Sequence, residues 1–273
     1  MRRARVQDEP AMRRITRDVW EGTDYVPMVW SRWLADPNGC VMIAELNGRP
    51  IGLQHAVLQP DGTTWLEGIR VASKERGVGV GRVLVDHGVQ WAREAGSEFA
   101  RMAISSDNEA SNRLAIGAGF EVADTFRRFT APAGGGGDDG VRLALPSDED
   151  AIRPMLKQQR ARLYGQGWSA YALTRERLRL LLATHSVVVT RGYDAMGIAT
   201  VTPERPVLRP GLLLGSVTGM TAIARWLRRR GNRAGRGDIA AVLAVSQDTV
   251  GALGAAGYEG PCEPDVVIRE LRL

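Results

Sequence analysis

The sequence has few cysteines and no long apolar segment, and each shortage excludes a class of protein. Cys40 and Cys262 are the two cysteines among 273 residues, too few and too far apart for a disulfide framework or a thiolate metal site. The apolar runs, such as 180–183 and 186–189, fall far short of the ~18 residues that a membrane-spanning helix needs. The charged N-terminus lacks the apolar stretch of a secretory signal. We therefore predict a cytoplasmic protein with no membrane span and no bound metal.

Lysine is scarce as well, because only Lys74 and Lys157 stand among 36 basic residues and the rest are arginines. Against 31 acidic residues the net charge is +5, a small excess that favours anionic ligands without requiring nucleic acid. What is present is typical of a folded protein, with 44% hydrophobic and 25% charged residues. At about 150 residues per domain, the length predicts two domains.

A glycine-rich segment, TAPAGGGGDDG at 130–140, divides the chain near its middle. Four consecutive glycines favour a flexible linker over a helix or a central strand. On both sides of it the same motifs follow one another: an apolar strand, a polar break, a helical run and a Gly-aromatic pair, at 100–120 and again at 239–258. We interpret this as a tandem duplication, with domains at 1–130 and 141–273 joined by a linker at 131–140.

Hydrophobic patterns within the first copy predict an α+β fold, with a mixed, mostly antiparallel sheet flanked by helices. The chain order is a short strand at 4–7, helices across 11–34, an antiparallel hairpin at 41–57 with an Asn-Gly turn, a strand at 64–71, a helix at 81–95, a strand at 99–105, a helix at 108–117 and a strand at 122–129. The second copy is predicted to share this fold.

The most informative segment is the loop RGVGVGR at 76–82, which lies between a predicted strand and a long amphipathic helix. Alternating glycines let successive backbone amides face one way, and the helix N-terminus adds its positive end, so the loop suits a pyrophosphate. It is not a Walker A loop, because Arg82 follows the last glycine where lysine is required. The dinucleotide fingerprint needs a glycine at that same position. A third phosphate-loop pattern, Arg-x-x-Gly-x-Gly, does fit the loop, through Arg76, Gly79 and Gly81.

This loop, the strand GIRV at 68–71 and the later segment SDNEASNRLAIGAGF at 106–120 together resemble the GCN5-related N-acetyltransferase (GNAT) superfamily. The resemblance covers the first half of the chain and implies acetyl-CoA as the co-substrate. It implies that strand backbone holds the pantetheine arm, that loop amides hold the pyrophosphate, and that Asn108 contacts the pantetheine. The cofactor-binding residues so implied are Ile69, Arg70, Val71, Arg76, Gly77, Val78, Gly79, Val80, Gly81, Arg82, Asn108 and Ser111.

Transfer of an acetyl group to an amine needs a base and a donor for the oxyanion. Glu67, on the strand that reaches the acetyl group, is the predicted catalytic base; the alternative is an exposed acid or an ion pair with Arg70. Many family members carry a tyrosine as proton donor to the thiolate where this chain has Ala115. Ser111 could replace it, although a thiolate with a pKa of about 8.5 can also leave unprotonated.

The acceptor side is predicted to lie in the aromatic segment 18–37, with Trp20, Tyr25 and Trp30 as substrate-binding residues and core packing as the alternative. His55 could also face this groove, whereas His87 is interpreted as structural. The pieces GTDYVP and WLEGIRV resemble the histidine N-acetyltransferase-like subgroup, which implies the α-amine of a small amino acid or a similar metabolite as acceptor. Arg70 could hold a carboxylate of that acceptor or lie on the surface.

The second copy is predicted to have lost its acetyl-CoA site. When Leu214–Gly219 is aligned with the loop at 76–81, Val217 replaces Gly79, and a β-branched residue obstructs a nest of amides. This copy would cover the acceptor side of the first domain or build a homodimer. The arginines at 225–236 indicate a solvated helix end more than a nucleic-acid surface.

From these patterns we predict an N-acetyltransferase that moves acetyl directly from acetyl-CoA to a primary amine of a small metabolite, with amino acids among the candidates. An acetyltransferase acting on a protein N-terminus or an aminoglycoside-like amine is one alternative. A non-catalytic sensor of acyl-CoA is the other.

Overall fold

The computed structural model describes residues 1–132, 134, 140–157, 163–202, 205–231 and 238–273. Most of the predicted linker, 135–139, and the end of the arginine-rich segment, 232–236, lie outside these residues. Contacts divide the chain into two compact units. The first unit comprises Met1–Ile104, Asn108–Val122 and Arg269–Leu273, and the second comprises Ser105–Asp107 and Ala123–Ile268. The domain boundaries inferred from the duplication stay a prediction.

Helices and strands follow in chain order. Up to residue 132 they are β1 (Arg2–Arg3), α1 (Glu9–Thr16), α2 (Val26–Ala35), β2 (Gly39–Leu46), β3 (Arg49–Leu58), β4 (Thr64–Val71), α3 (Val80–Glu94), β5 (Phe99–Ser105), α4 (Glu109–Gly117) and β6 (Glu121–Pro132). Beyond it they are β7 (Val141–Leu143), α5 (Glu149–Lys157), β8 (Leu163–Gln166), β9 (Ser169–Ala172), α6 (Arg175–Ala183), β10 (Val187–Thr190), β11 (Ala195–Thr202), β12 (Arg205–Gly215), α7 (Val217–Gly231), β13 (Asp238–Ala244), α8 (Gln247–Ala255) and β14 (Glu259–Arg272).

The sheet of the first unit has the order β1-β2-β3-β4-β5, followed by the end of β14. The first four strands pair antiparallel, and β4 pairs parallel with β5. Asn47 and Gly48 both have positive φ, as the tight turn between β2 and β3 requires. The predicted α+β class, its mostly antiparallel sheet and the Asn-Gly hairpin are therefore confirmed.

Both faces of this sheet are covered, which explains why the middle of β2 and β3 is apolar at consecutive positions. On one face α1 and α2 pack through a cluster that includes Met12, Ile15 and Trp33. On the other face α3 packs through Val85 and Val89. At about 25 cal/mol per Å² of buried apolar surface, such clusters supply most of the stabilisation of the unit.

The last residues of the chain complete the first unit. The guanidinium of Arg101, which is buried, binds Glu270 at 2.5 Å and Asp61 at 3.1 Å. Leu273 donates its backbone N–H to the carbonyl of Glu98 at 3.0 Å. Removing one partner of a buried charge leaves the other uncompensated, so these contacts bind the C-terminal end of β14 firmly to β5.

A bulge interrupts β4 just after Glu67. Leu53 lies opposite Arg70 and His55 lies opposite Glu67, so two residues of β4 face the single residue between them on β3. The first of the two is Gly68, which has a φ of +66°. A Cβ atom on it would lie 2.5 Å from Cη2 of Trp33. Glycine is required here both by its φ and by the close approach of the indole.

We expect Gly68→Ala to lower the free energy of unfolding by about 2–4 kcal/mol, because left-handed strain adds to a steric clash. Gly62→Ala is the matched control, since Gly62 also has a positive φ, of +79°, but has open space around the added Cβ. That control should cost only about 1 kcal/mol. Denaturant unfolding of both variants measures the difference, and equal losses would contradict the clash with Trp33.

The parallel pairing of β4 with β5 stops early. Among the described residues its pairs are Thr64 with Ala100 and Trp65 with Arg101, although β4 continues to Val71 and β5 to Ser105. Residues 66–71 of β4 therefore lack a strand partner on the β5 side. This stretch includes the bulge.

In the second unit, two sheets surround α7. One has the order β12-β11-β10-β7, the other contains β14-β6-β13, and β8 and β9 form a separate hairpin. A cluster that includes Phe129, Leu213, Ile223 and Leu253 fills its centre. As in the first unit, a 15-residue helix (α7, matching α3) and a nine-residue helix (α8, matching α4) follow the central strands.

Candidate functional site

The unpaired part of β4 presents backbone groups on the side of β5. Ala72 donates its N–H to the carbonyl of Ile51 on β3 at 2.8 Å. Because backbone groups alternate along a strand, those of Ile69 and Val71 face away from β3, towards the unpaired side. Their carbonyls already accept hydrogen bonds, from Nη1 of Arg70 and Nε of Arg76, each at 3.1 Å. Their amide N–H groups are therefore the donors that this edge can offer a ligand.

The glycine loop leads from β4 into α3 and leaves the helix N-terminus without a side-chain cap. Gly77 and Gly79 have φ of +83° and +92°, and a Cβ atom on either would meet nothing within 4 Å. The helical ladder begins with the N–H of Val83, which donates to the carbonyl of Gly79 at 3.2 Å. The amides of Val80, Gly81 and Arg82 precede that bond, as the first N–H groups of a helix do. The loop, with Val78 exposed at its tip, is thus shaped to bind an anion.

The side chains of the two loop arginines bind protein instead of facing the loop. Arg76 donates to the carbonyl of Val71. Arg82 donates to the carbonyl of Gly117 at 2.5 Å and to the carboxylate of Asp86 at 2.8 Å. These contacts fix the loop between β4 and the end of α4, and the donors that remain for a ligand are mainly backbone amides.

Asn108 and Ser111 form the N-terminal cap of α4. The Asn108 side-chain oxygen accepts the N–H of Ser111 at 3.1 Å, a contact that stabilises the helix start by about 1 kcal/mol. Ala115, at the position of the family tyrosine, is fully buried in the cluster beneath α3. The structure therefore offers no room near Ala115 for the usual proton donor.

Glu67 lies on the opposite face of β4 and pairs with a histidine, not with Arg70. Its Oε1 is 3.0 Å from Nδ1 of His55, the residue directly opposite on β3. The side chain of Glu67 is 28% exposed and that of His55 only 2%. The imidazole stacks on the indole of Trp33, with centroids 4.5 Å apart and planes 16° apart. A carboxylate held at its buried end and open at the other can accept a proton from a bound amine.

Arg70 is neither a surface residue nor an unpaired cation. It binds Asp24 with two hydrogen bonds, of 2.8 and 2.9 Å, and its side chain is 13% exposed. Its guanidinium lies over the rings of Trp20 and Tyr25, 4.7 and 5.5 Å from their centroids. Asp24 balances its charge, whereas the described partner of Glu67 is the imidazole of His55.

Two of the three aromatic residues predicted to bind substrate line this face. Trp20 is 57% exposed and stacks on Tyr25, with centroids 6.1 Å apart. The hydroxyl of Tyr25 accepts the N–H of Gly68, and burial, with the nearby charge of Glu67, raises the pKa of that phenol. Trp30 is different, because it is 2% exposed and belongs to the core under α2. Trp30 is therefore a core residue, as the alternative of core packing predicted.

Residue type alone does not indicate the contacts of three residues around Glu67 and Arg70, which are His55, Asp24 and Trp33. His55 could have been paired with Glu67 from the hairpin register, because a short connection at 59–63 places the two residues opposite each other. Nothing local predicts the contact of Asp24 with Arg70, since the residues are 46 positions apart.

In the second unit, the corresponding helix start is closed by an acid. Only Ser216 separates β12 from α7, and its Oγ accepts the N–H of Gly219 at 3.0 Å and donates to Asp194 at 2.5 Å. The hydrogen bonds from Ser216 and Thr190 lower the pKa of Asp194. Val217, the predicted obstruction, is instead the exposed first residue of α7. A carboxylate stands where an anionic ligand would have to bind.

Two arginines of the segment 225–236 bind backbone carbonyls of the second unit. Arg225 donates to the carbonyl of Ala255 at 2.9 Å, and Arg228 donates to the carbonyls of Pro132 and Ala256 at 3.0 and 2.6 Å. These bonds satisfy carbonyls at the end of α8 and of β6, as basic residues near helix ends do. Residues 232–236 of the segment lie outside the described part.

The described ranges contain no helix long and apolar enough to cross a membrane. Nor do these ranges bring three or more His, Cys, Asp or Glu side chains into a group that could hold a metal ion.

Comparison with known proteins points to one family. The model of the acetyltransferase (GNAT) family matches residues 9–120. A histidine N-acetyltransferase of Oreochromis niloticus is 42% identical over 72 residues, which are 26% of this chain and 21% of that protein. Another, of Xenopus tropicalis, is 31% identical over 98 residues, 36% of this chain and 30% of that protein. The chain therefore spans less than a third of the length of the curated relatives it matches.

A solved structure shows that the likeness in fold extends along the chain. A GCN5-related N-acetyltransferase from Sphaerobacter thermophilus matches 99% of this chain and 94% of its own, with a TM-score of 0.65 and 15% identity. A likeness at this identity concerns the fold alone. The family model, by contrast, covers the loop and the strand β4 described above. The segment 9–120 of this chain accordingly matches the acetyltransferase (GNAT) family.

Proposed function

We propose that the first unit transfers an acetyl group from acetyl-CoA to a primary amine of a small metabolite. The observation that carries the proposal is the arrangement along β4: its backbone at 69–71 is unpaired on the β5 side, the glycine loop follows it, and Glu67 lies just before the bulge. One strand thus brings together a binding edge, an anion site and a base. GNAT acetyltransferases combine the same three elements.

The residues fit acetyl-CoA, which would supply the acetyl thioester. Amides of the loop and of the N-terminus of α3 would hold its pyrophosphate, and the N–H groups of Ile69 and Val71 would hold its pantetheine arm. An amide beside the bulge would donate to the oxyanion. The amine nitrogen forms a bond to the acetyl carbon, its proton passes to Glu67 directly or through water, and the carbon–sulfur bond breaks to leave a thiolate.

Free amino acids, histidine among them, are the acceptor class that we propose. Two observations support it. Related sequences named histidine N-acetyltransferase match part of this chain. Glu67 is partly exposed, as is the indole of Trp20, which lies over the guanidinium of Arg70 on the same strand. An acid attracts an ammonium group before deprotonation, and an aromatic face binds flat or cationic side chains. The bidentate pair of Arg70 with Asp24 makes Arg70 a poor partner for the acceptor's carboxylate.

The proposal is tested by release of free CoA from acetyl-CoA with a panel of amines. The panel contains free amino acids, peptides with free N-termini, polyamines and aminoglycosides. We expect saturable turnover with amino acids and none with their N-acetyl forms. Turnover restricted to peptides or aminoglycosides would move the acceptor to that class. Tight acetyl-CoA binding without turnover on any amine would contradict the enzyme and favour an acyl-CoA sensor.

We also propose that the second unit is a second GNAT-like copy without an acetyl-CoA site. Besides the matching helices, an arginine of the first strand binds an aspartate six positions on in both units: Arg2 of β1 with Asp8, and Arg142 of β7 with Asp148. Each aspartate also accepts a backbone N–H three residues before it, from Arg5 and Leu145. Such a repeated long-range detail is what a duplication would leave behind.

A further inference from the structure

We propose that His55 is a positioning residue for Glu67: its imidazole holds one carboxylate oxygen so that the other faces the acceptor amine. The inference rests on the proposed function, because it takes Glu67 as the base. It adds a residue on β3 that donates a hydrogen bond to the base and does not itself touch substrate.

The pair is built into the sheet. His55 and Glu67 lie directly opposite each other on β3 and β4, where side chains of one face are closest. The distance from Nδ1 to Oε1 is 3.0 Å. In the described part of the chain, His55 is the hydrogen-bond partner of the Glu67 carboxylate, whose second oxygen remains for a ligand.

The imidazole cannot turn away from the carboxylate. One face stacks on Trp33 at 4.5 Å, and its far edge abuts the backbone of β2, because a Cβ atom added to Gly39 would lie 2.6 Å from Nε2. Trp33 in turn is fixed against Gly68 and by an edge contact with Tyr25 at 6.0 Å. The orientation of the ring is therefore set by packing, as a residue that orients a base requires.

The hydrogen bonds available to the two ring nitrogens of His55 indicate which of them carries the proton. Nε2 is buried and has no hydrogen-bond partner among the described residues. A neutral imidazole has one N–H. On Nδ1 this group donates to Glu67, whereas on Nε2 it would be a buried donor without an acceptor, at a cost of about 1–3 kcal/mol. The geometry thus points to the tautomer with the proton on Nδ1.

The same hydrogen bonds separate positioning from proton relay. A relay would need a second hydrogen bond from the ring, and Nε2 has no partner among the described residues to exchange a proton with. The charged and titratable groups around the ring do not change this: Glu67 is already bonded to Nδ1, Tyr25 binds Gly68, Arg70 and Asp24 bind each other, and Asp36 accepts the N–H of Asn38. The amine proton therefore ends on Glu67, and His55 keeps its own.

Two variants of His55 separate its hydrogen bond from its bulk. His55→Asn keeps an N–H donor near the place of Nδ1, and His55→Leu has a similar volume without a donor. We expect His55→Leu to lower kcat about 10-fold or more, because a displaced base loses alignment, with the KM for acetyl-CoA unchanged. His55→Asn should retain most of the wild-type kcat. Adding His55→Leu to Glu67→Gln should lower kcat no further, since both act on one group.

A second readout does not depend on activity. Nitrogen-15 NMR of the free protein reports the tautomer of each of its three histidines, and His55 is assigned from its missing signal in His55→Asn. We expect the proton on Nδ1 in the wild type and its redistribution in Glu67→Leu. A proton on Nε2 in the wild type, or an unchanged kcat in folded His55→Leu, overturns the inference. If the wild type acetylates no amine, the proposed function fails, while the tautomer still decides whether the pair exists.

Discussion

Replacing Glu67 with glutamine is expected to lower the kcat for acetyl transfer by about 100-fold or more. Glutamine keeps the size of the side chain, and its amide oxygen can still accept the hydrogen bond from His55, but it cannot take a proton from the amine. In the proposed site, acetyl-CoA would bind on the other side of β4, through amides of the strand and the loop. Its Kd should therefore stay within about 2-fold, which is less than 1 kcal/mol.

The measurement combines steady-state CoA release with calorimetric titration of acetyl-CoA. Glu109→Gln is the matched control, because Glu109 is an exposed acid of the same unit that binds Arg113 on the surface of α4. Surface pairs of this kind contribute little, so kcat should not change. If Glu67→Gln kept more than about a third of the wild-type kcat, Glu67 could not be the base, given the size of such effects.

The second large effect is expected at Gly79, where substitution by aspartate should weaken acetyl-CoA binding about 100-fold or more. Gly79 precedes α3 with a φ of +92° and open space beside it, so an added side chain would enter the place of the pyrophosphate. A carboxylate about 4 Å from a phosphate costs about 4 kcal/mol at an effective dielectric constant of 20. Asparagine has the same shape and tolerates this backbone region, so Gly79→Asn should lose much less affinity.

Gly96→Asp supplies the control at the other end of the same helix. Gly96 also has a positive φ, of +75°, with nothing near its Cβ position. Substitution there therefore introduces the same backbone strain as at Gly79, but away from the proposed acetyl-CoA site. Calorimetry should give unchanged affinity for this variant and one acetyl-CoA per wild-type chain, since Asp194 occupies the helix start of the second unit. Two sites per chain, or binding that survives in Gly79→Asp, would contradict the assignment of the loop.

Local patterns were enough to predict much of the first unit. The loop at 76–82 can be recognised from sequence because glycines at fixed offsets before a helix allow the backbone conformation of an anion-binding loop. The Asn-Gly turn fixes the hairpin β2–β3. Apolar alternation placed the strands and helices within a few residues of their observed bounds. These features depend on neighbours in sequence, so single-sequence reasoning captures them.

Side-chain partners across the sheet were harder to predict. Glu67 was assigned a role from its strand, but the choice between Arg70 and His55 as partner depends on a one-residue bulge, which turns successive side chains to other faces. The burial of Trp30 and the exposure of Trp20 depend on where α2 begins and on the left-handed turn at 20–22. The carboxylate at the start of α7 belongs to Asp194, a residue of the turn between β10 and β11, and no alignment of the loop alone contains it.

The end of β14 makes completion of the first unit depend on synthesis of the second. Residues 269–273 leave the ribosome after the whole second unit, so the sheet of the first unit cannot close until that unit has been synthesised. Until then Arg101 lacks Glu270, and the edge of β5 stays open to chaperones and proteases. A fragment cut at residue 130 would carry every proposed catalytic residue and still be an unfinished domain. Losing the second half would thus remove part of the first, which gives selection a reason to keep the second half whether or not it binds acetyl-CoA.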